Sequence, residues 1–189
     1  MRRIEYSVAC SLDGYIAGPA GEYDWIPMDP EIDFGALMGR YDTYLMGRRT
    51  YEMTQGAGGP AAAGRVLVFS RTLQPEDHPD VTIVAEDAEE RLRELRAQPG
   101  KDIWLFGGGE LFRSLLELNQ VDALSIAVVP VLLGGGVPLL PSPAARARLE
   151  LTNHRVYRRT GIVALDYSVD RRAATRPVGR KRARGKAAQ

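Results

Sequence analysis

Residues 102–112 read DIWLFGGGELF: a short apolar run with a β-branched start, three consecutive glycines, then apolar residues at helical spacing. Near-continuous apolarity over residues 103–106 predicts a central strand covered on both faces. Glycines at the carboxyl end of such a strand let backbone approach a ligand where any Cβ would clash. The helix that follows, expected over residues 111–118, aims its first amides at the same place. A strand, a glycine turn and a helix in this order suit the binding of phosphate.

Outward from this junction, strands and helices alternate. Upstream, residues 88–98 form an amphipathic solvated helix closed by Pro99-Gly100, and residues 43–46, 65–69 and 81–85 read as strands. Residues 31–41 space Ile32, Phe34, Leu37, Met38 and Tyr41 as a helix begun by Asp29-Pro30, good N-cap and first-turn residues. Ile4, Tyr6, Val8, Cys10 and Leu12 alternate with Glu5, Ser7, Ala9 and Ser11, the period of a strand with two unlike faces, which ends at Asp13-Gly14. Downstream, residues 122–130, 149–158 and 161–169 supply three strands, the last two parted by Arg159-Thr160 as an antiparallel hairpin. The sum is an α/β sandwich around a mostly parallel sheet.

The 189 residues suit one domain, residues 1–170, followed by a disordered basic tail, residues 171–189. The tail holds eight of the 25 Lys and Arg and no acid, leaving 17 basic against 24 acidic residues, a net −7, in the body. A body of that sign has no general attraction for nucleic acid, so any such binding falls to the tail, which lacks interleaved aromatics for stacking on bases. Cys10 alone excludes an intramolecular disulfide, and two histidines leave little for a metal site. With no signal peptide and no membrane-length apolar run, a cytoplasmic protein is expected.

Five motifs in order, SLDGYIAG (11–18), YLMGRRTYE (44–52), VLVFSRT (66–72), WLFGGGELF (104–112) and VVPVLLGGGVPLLP (128–141), resemble the dihydrofolate reductase-like family. The likeness is to its branch containing the reductase domain of riboflavin biosynthesis, and covers residues 3–169. It implies a three-layer sandwich with a mixed, mostly parallel central sheet and a C-terminal antiparallel hairpin. It also implies a homodimer, and a reductase passing hydride from NADPH to a small heterocyclic, pterin- or pyrimidine-like, or imine substrate. A dinucleotide-binding sensor without turnover and a nucleic-acid-associated protein acting through the tail are the competing readings.

The resemblance assigns residues one motif at a time. The Gly107-Gly108 peptide is expected to be cis, with Phe106, Gly109, Glu110, Leu111 and Phe112 flanking the cofactor. Gly47 and Thr50 would meet the pyrophosphate, Arg48 and Arg49 the adenosine end, and Ser70 with Arg71 a phosphate; three arginines there favour a 2′-phosphate and hence NADPH. Ala9, Ile16 and Ala17 would line the nicotinamide pocket, with Asp13 structural. Trp25, Phe34, Met38 and Tyr51 would wall the substrate. For the proton donor, counting back from Gly47 points to Glu31, whereas aligning Trp25 with the family's tryptophan points to Pro30, so Asp29, Glu31 and Asp33 all stand as candidates. Residues 21–38 contain no Lys or Arg, which departs from the riboflavin branch and argues against a phosphorylated substrate. No GxGxxG or GxxxxGK[ST] occurs.

Overall fold

A computed structural model of the chain describes residues 1–55 and 64–175, with side chains described as far as residue 170. Residues 56–63 fall outside the described residues, as does most of the expected tail, residues 176–189.

The strands are β1 (Ile4–Ser11), β2 (Tyr15–Ala17), β3 (Tyr41–Gly47), β4 (Arg65–Phe69), β5 (Thr82–Val84), β6 (Asp102–Gly107), β7 (Ala123–Val129), β8 (Val137–Pro138), β9 (Arg146–Val156) and β10 (Val163–Thr175). The helices are α1 (Phe34–Gly39), α2 (Arg48–Thr54), α3 (Ala88–Ala97) and α4 (Gly109–Glu117). Among the described residues the main sheet has eight strands in the order β5-β4-β3-β6-β1-β7-β10-β9. The first six are mutually parallel; β10 runs antiparallel to β7 and to β9, the expected C-terminal hairpin. Its pairing continues past residue 170, with Thr175 opposite Arg146.

Alternation along the strands sorts the side chains into two layers. On one face Ile4, Tyr6, Leu45, Leu67, Ile103 and Leu105 pack with Leu92 and Leu95 of α3 and Leu111, Phe112, Leu115 and Leu116 of α4. On the other, Tyr44, Met46, Val66, Val68 and Trp104 pack with Tyr51 of α2 and Leu37 and Met38 of α1. Each fully buried Leu or Ile contributes about 1.5–3 kcal/mol by leaving water, so the bilayered core holds the sheet between its helices.

The two unlike faces expected of β1 are present and both are covered: the strand lies mid-sheet between β6 and β7, and Glu5 on its polar face is only 4 % exposed. That buried charge is matched by Arg40 at 2.7 Å and the Tyr41 hydroxyl at 2.7 Å. Helix α1 begins at Phe34, not near residue 31, because Asp33, not Asp29, accepts from the Ala36 amide at 2.8 Å. Tyr41 belongs to β3, its ring packed 4.9 Å from that of Trp104.

A small ribbon without a signal in the sequence, β2 paired antiparallel with β8, joins the loops leaving β1 and β7. Gly136 makes this possible: at φ +140° it lies so close to β2 that a Cβ there would stand 2.2 Å from the Ala17 carbonyl oxygen.

Candidate functional site

The parallel strands β1, β3, β6 and β7 all end on one edge of the sheet, and the glycine triplet lies there. The Gly107-Gly108 peptide is cis, as the resemblance implied. Gly108 caps α4 without any side-chain help, so the amides of the first turn have no partner within the helix. Thr50 of α2 comes up against this pair: a Cβ at Gly108 would stand 3.5 Å, and one at Gly107 3.7 Å, from its Oγ1. Gly47, at the end of β3, would put a Cβ 4.0 Å from that of Leu111. Residues far apart in sequence, Gly47, Thr50, Gly107 and Gly108, thus form one cradle floored by backbone. Gly109 lies behind it, where a Cβ would meet the Pro138 carbonyl oxygen at 2.3 Å.

Beside the cradle, Arg48, Arg49 and Arg71 are exposed, and Arg48 makes a loose pair with Glu52 at 3.7 Å. Ser70 is buried, and its hydroxyl accepts from the Thr72 and Leu73 amides, so it shapes the turn that presents Arg71. Glu110 is exposed and paired with Arg113 at 2.8 Å. Phe112 is 3 % exposed and stacked on Tyr6 at 4.1 Å between ring centroids, and Leu111 is likewise core. Phe106 is half-buried against Trp104 and Tyr44.

The loop after β1 is held by Asp13. Its carboxylate accepts from the Ser11 hydroxyl at 2.6 Å, the Leu133 amide at 3.1 Å and the Gly134 amide at 2.7 Å. These bonds, the Ser11 hydroxyl foremost, keep the carboxyl below the usual carboxylate range. The loop thereby fastens to the glycine run after β7, and Ile16 and Ala17 of β2 follow it, Ile16 packed against the core.

Residues 18–33 cross the same sheet edge. A Cβ on Gly21 would lie 3.7 Å from Met53 of α2. Trp25 is half-buried, its indole N–H donating to the Glu22 carbonyl at 3.2 Å, and Phe34 is 42 % exposed. Met38 packs beneath in the core, and Tyr51 is buried with its hydroxyl 3.2 Å from His78 Nδ1. Of the three acids that stood as proton-donor candidates, Asp33 caps α1, and the other two are tied to the β9–β10 hairpin. Asp29, 2 % exposed, accepts from the Thr160 hydroxyl at 2.7 Å and the Glu31 amide at 2.9 Å. Those bonds, the Thr160 hydroxyl first, hold its carboxyl low, with the nearby Arg159 charge adding to them. Glu31, largely exposed, pairs with Arg155 at 3.0 Å. The cations missing from residues 21–38 are therefore brought in by the hairpin.

The sequence did not reveal the floor beside this loop. Register places Ser7 and Ala9 of β1, Ser125 and Ala127 of β7, and Ala164 and Asp166 of β10 on the face that α1 and α2 share. All are small or short side chains, whereas the neighbouring strands offer Tyr44, Met46, Trp104 and Phe106 there. The two helices pack on the bulky half, so by side-chain size the small half is a shallow trough, bordered by Arg155 of β9 and by the loop that Asp29 and Glu31 tie to the hairpin. The alternation of small residues on β1 was visible in the sequence; its alignment with β7 and β10 was not.

Comparison with known proteins agrees with this fold. Residues 2–163 match the family described as the RibD C-terminal domain. The uncharacterized protein YyaP of Bacillus subtilis (strain 168) is 33% identical over 180 residues, covering 88% of this chain and 94% of its own. The crystal structure of a Shewanella sp. PV-4 protein named for riboflavin biosynthesis superposes with a TM-score of 0.76 at 30% identity, covering 90% of this chain and all of that one. A diaminohydroxyphosphoribosylaminopyrimidine deaminase/5-amino-6-(5-phosphoribosylamino)uracil reductase of Thermotoga maritima shares the fold at a TM-score of 0.67 and 17% identity, over 89% of this chain and 57% of that one.

Proposed function

The chain belongs to the RibD C-terminal domain family, and we propose that it is a reductase that uses NADPH to reduce a small pyrimidine-like heterocycle. The observation that carries this reading is the cradle: Thr50 set against the Cβ-free pair Gly107-Gly108 at the sheet edge, with Arg48, Arg49 and Arg71 exposed beside it. A side chain at either glycine would occupy the space a dinucleotide backbone needs, so the residues fit such a group.

When bound, the dinucleotide supplies a hydride equivalent, the chemistry that no side chain of this chain provides. The chain's own tasks are then positional. Amides at the start of α4 and the Thr50 hydroxyl would hold the pyrophosphate. Arg48, Arg49 and Arg71 would hold a 2′-phosphate, the group separating NADPH from NADH. Ala9, Ile16 and Ala17 would bound the nicotinamide, and the trough over Ser125 and Ala127 would take the substrate. Trp25 and Phe34 would close it from the loop side. Asp29, kept ionised by its donors, suits anchoring the loop; Glu31 is the acid free to turn toward substrate when its pair with Arg155 opens.

The reading is tested by parallel titration of the full chain with NADPH and NADH, followed by fluorescence quenching of Trp25 and Trp104. Saturable binding with a clear NADPH preference, then NADPH oxidation with an added pyrimidine, is the expected result. No saturable binding of either dinucleotide would refute it.

A further inference from the structure

One carboxylate of the trough has no cation paired with it among the described residues. Asp166, half-buried on β10, accepts from the Ser125 hydroxyl at 2.7 Å through one oxygen and from the Asn153 side-chain amide at 3.0 Å through the other. Thr152 secures the backbone beneath it, its hydroxyl donating to the Asp166 carbonyl at 3.0 Å. These three partners flank it in register, Ser125 from β7 and Asn153 with its neighbour from β9. Among the described residues no Lys, Arg or His forms an ion pair with it, in contrast to Glu5, which is buried on the same face and answered by Arg40.

A half-buried carboxylate without a counter-charge is costly unless donors compensate it. Two neutral donors supply part of that compensation and fix the plane of the group. Each oxygen keeps a further lone pair, since a carboxylate has about four acceptor sites. Arg155, the nearest cation of the hairpin on this face, is directed to Glu31 instead. The carboxylate therefore stands oriented, with acceptor sites to spare, beside the Ser and Ala side chains of β7 and two strands from Ala9.

We propose that Asp166 is a specificity-determining residue that binds the amino-bearing edge of the substrate, with Ser125 and Asn153 as positioning residues. The matching ligand edge is a ring N–H, borne by a lactam or gained when a ring nitrogen such as that of a diaminopyrimidine is protonated, beside an exocyclic amine; a carboxylate accepts from these two parallel donors together, as it does from a guanidinium fork. The substrate class is then an amino-substituted planar heterocycle, flat enough to lie over Ser125 and Ala127. A heterocycle presenting only carbonyl oxygens there would face a like charge. This inference rests on the reductase reading, which places the substrate in the trough.

The test is calorimetric binding of two probes, 2,4-diaminopyrimidine and uracil, to the full chain, with NADPH titrated in the same samples. The wild type is expected to favour diaminopyrimidine. D166N should weaken it tenfold or more while leaving uracil within twofold, D166E should recover part of the loss, and A127L should abolish both by filling the floor. Thermal melts check that each variant folds, and D166E keeps the charge should D166N not fold. Equal diaminopyrimidine affinity in wild type and D166N overturns the proposal, as does a wild type that binds neither probe. If NADPH still binds in that last case the reductase reading stands and only the role of Asp166 falls; if it does not, both fall.

Discussion

The Asp29 carboxylate accepts a 2.7 Å hydrogen bond from the hydroxyl of Thr160, 131 residues further along the chain. This contact and the neighbouring Glu31–Arg155 pair at 3.0 Å fasten the loop that carries Trp25 to the β9–β10 hairpin. Both partners of the first contact sit at the sheet edge where β10 begins opposite the end of β7.

Because the Asp29 carboxyl is held below its ordinary range, its bonds favour the folded loop above the unfolded carboxylate pKa, about 3.9, and that contribution disappears as pH falls through the depressed folded value. Acidification below about pH 4 is therefore expected to release the loop and raise acrylamide quenching of Trp25. Trp104, 7 % exposed, serves as the internal reference. D29N should show the raised quenching already at neutral pH and lose the acid transition, and T160V should do the same in part. A D29N protein with the wild-type acid transition would show that Asp29 does not hold the loop.

Phe112 stands in the motif that the resemblance assigns to cofactor contact, yet its ring stacks on Tyr6 inside the core. F112A is accordingly expected to cost about 3–5 kcal/mol of stability in chemical denaturation, the usual range for removing a buried aromatic. Its NADPH affinity, measured well below the unfolding transition, should stay within threefold of wild type. A large loss of affinity with unchanged stability would instead put Phe112 at the ligand.

What could be read from the chain follows the range of the interactions involved. The strand over residues 65–69 and the helix from residue 88 were legible because apolar spacing and local turn residues determine them. The start of α1 was not: Asp29 and Asp33 are equally good caps by residue type, and only Thr160, brought over by the hairpin, decides which of them is free to cap. Similarly, Leu111 and Phe112 follow the glycines as a cofactor motif would, but the inward face of α4 depends on where Tyr6 lies. Asp166 carried no local signal at all, since its meaning comes from Ser125 and Asn153 on two other strands.

The three glycines of the triplet are not equivalent. A Cβ at Gly109 would stand 2.3 Å from the Pro138 carbonyl oxygen, a backbone atom that must move with its strand. A Cβ at Gly108 would make ordinary contact, 3.5 Å, with Thr50 Oγ1. G109A should therefore lower the melting temperature and disturb the β2–β8 ribbon, whereas G108A should melt near wild type and lose dinucleotide binding. The comparison is made by thermal denaturation and NADPH titration of the two variants side by side. A G108A protein with wild-type affinity would remove the triplet from the cofactor site.

Arg48, Arg49 and Arg71 are exposed at the ends of neighbouring strands β3 and β4, where a 2′-phosphate would find charge but little burial. Hydrogen bonds to charged groups contribute about 1.5–3 kcal/mol each, so R71A and R49A are each expected to weaken NADPH by roughly tenfold to a hundredfold, with screening favouring the lower figure. NADH, lacking that phosphate, should lose no more than about threefold by the same accounting. Arg48 shares its charge with Glu52, so R48A should have the smallest effect of the three. Raising ionic strength should erode NADPH affinity in the wild type more steeply than in the R49A/R71A double variant, because screening acts on the charges that the variant has lost. The check is a set of paired NADPH and NADH titrations across salt; equal losses for the two dinucleotides would show that these arginines support the fold of the site and do not read the phosphate.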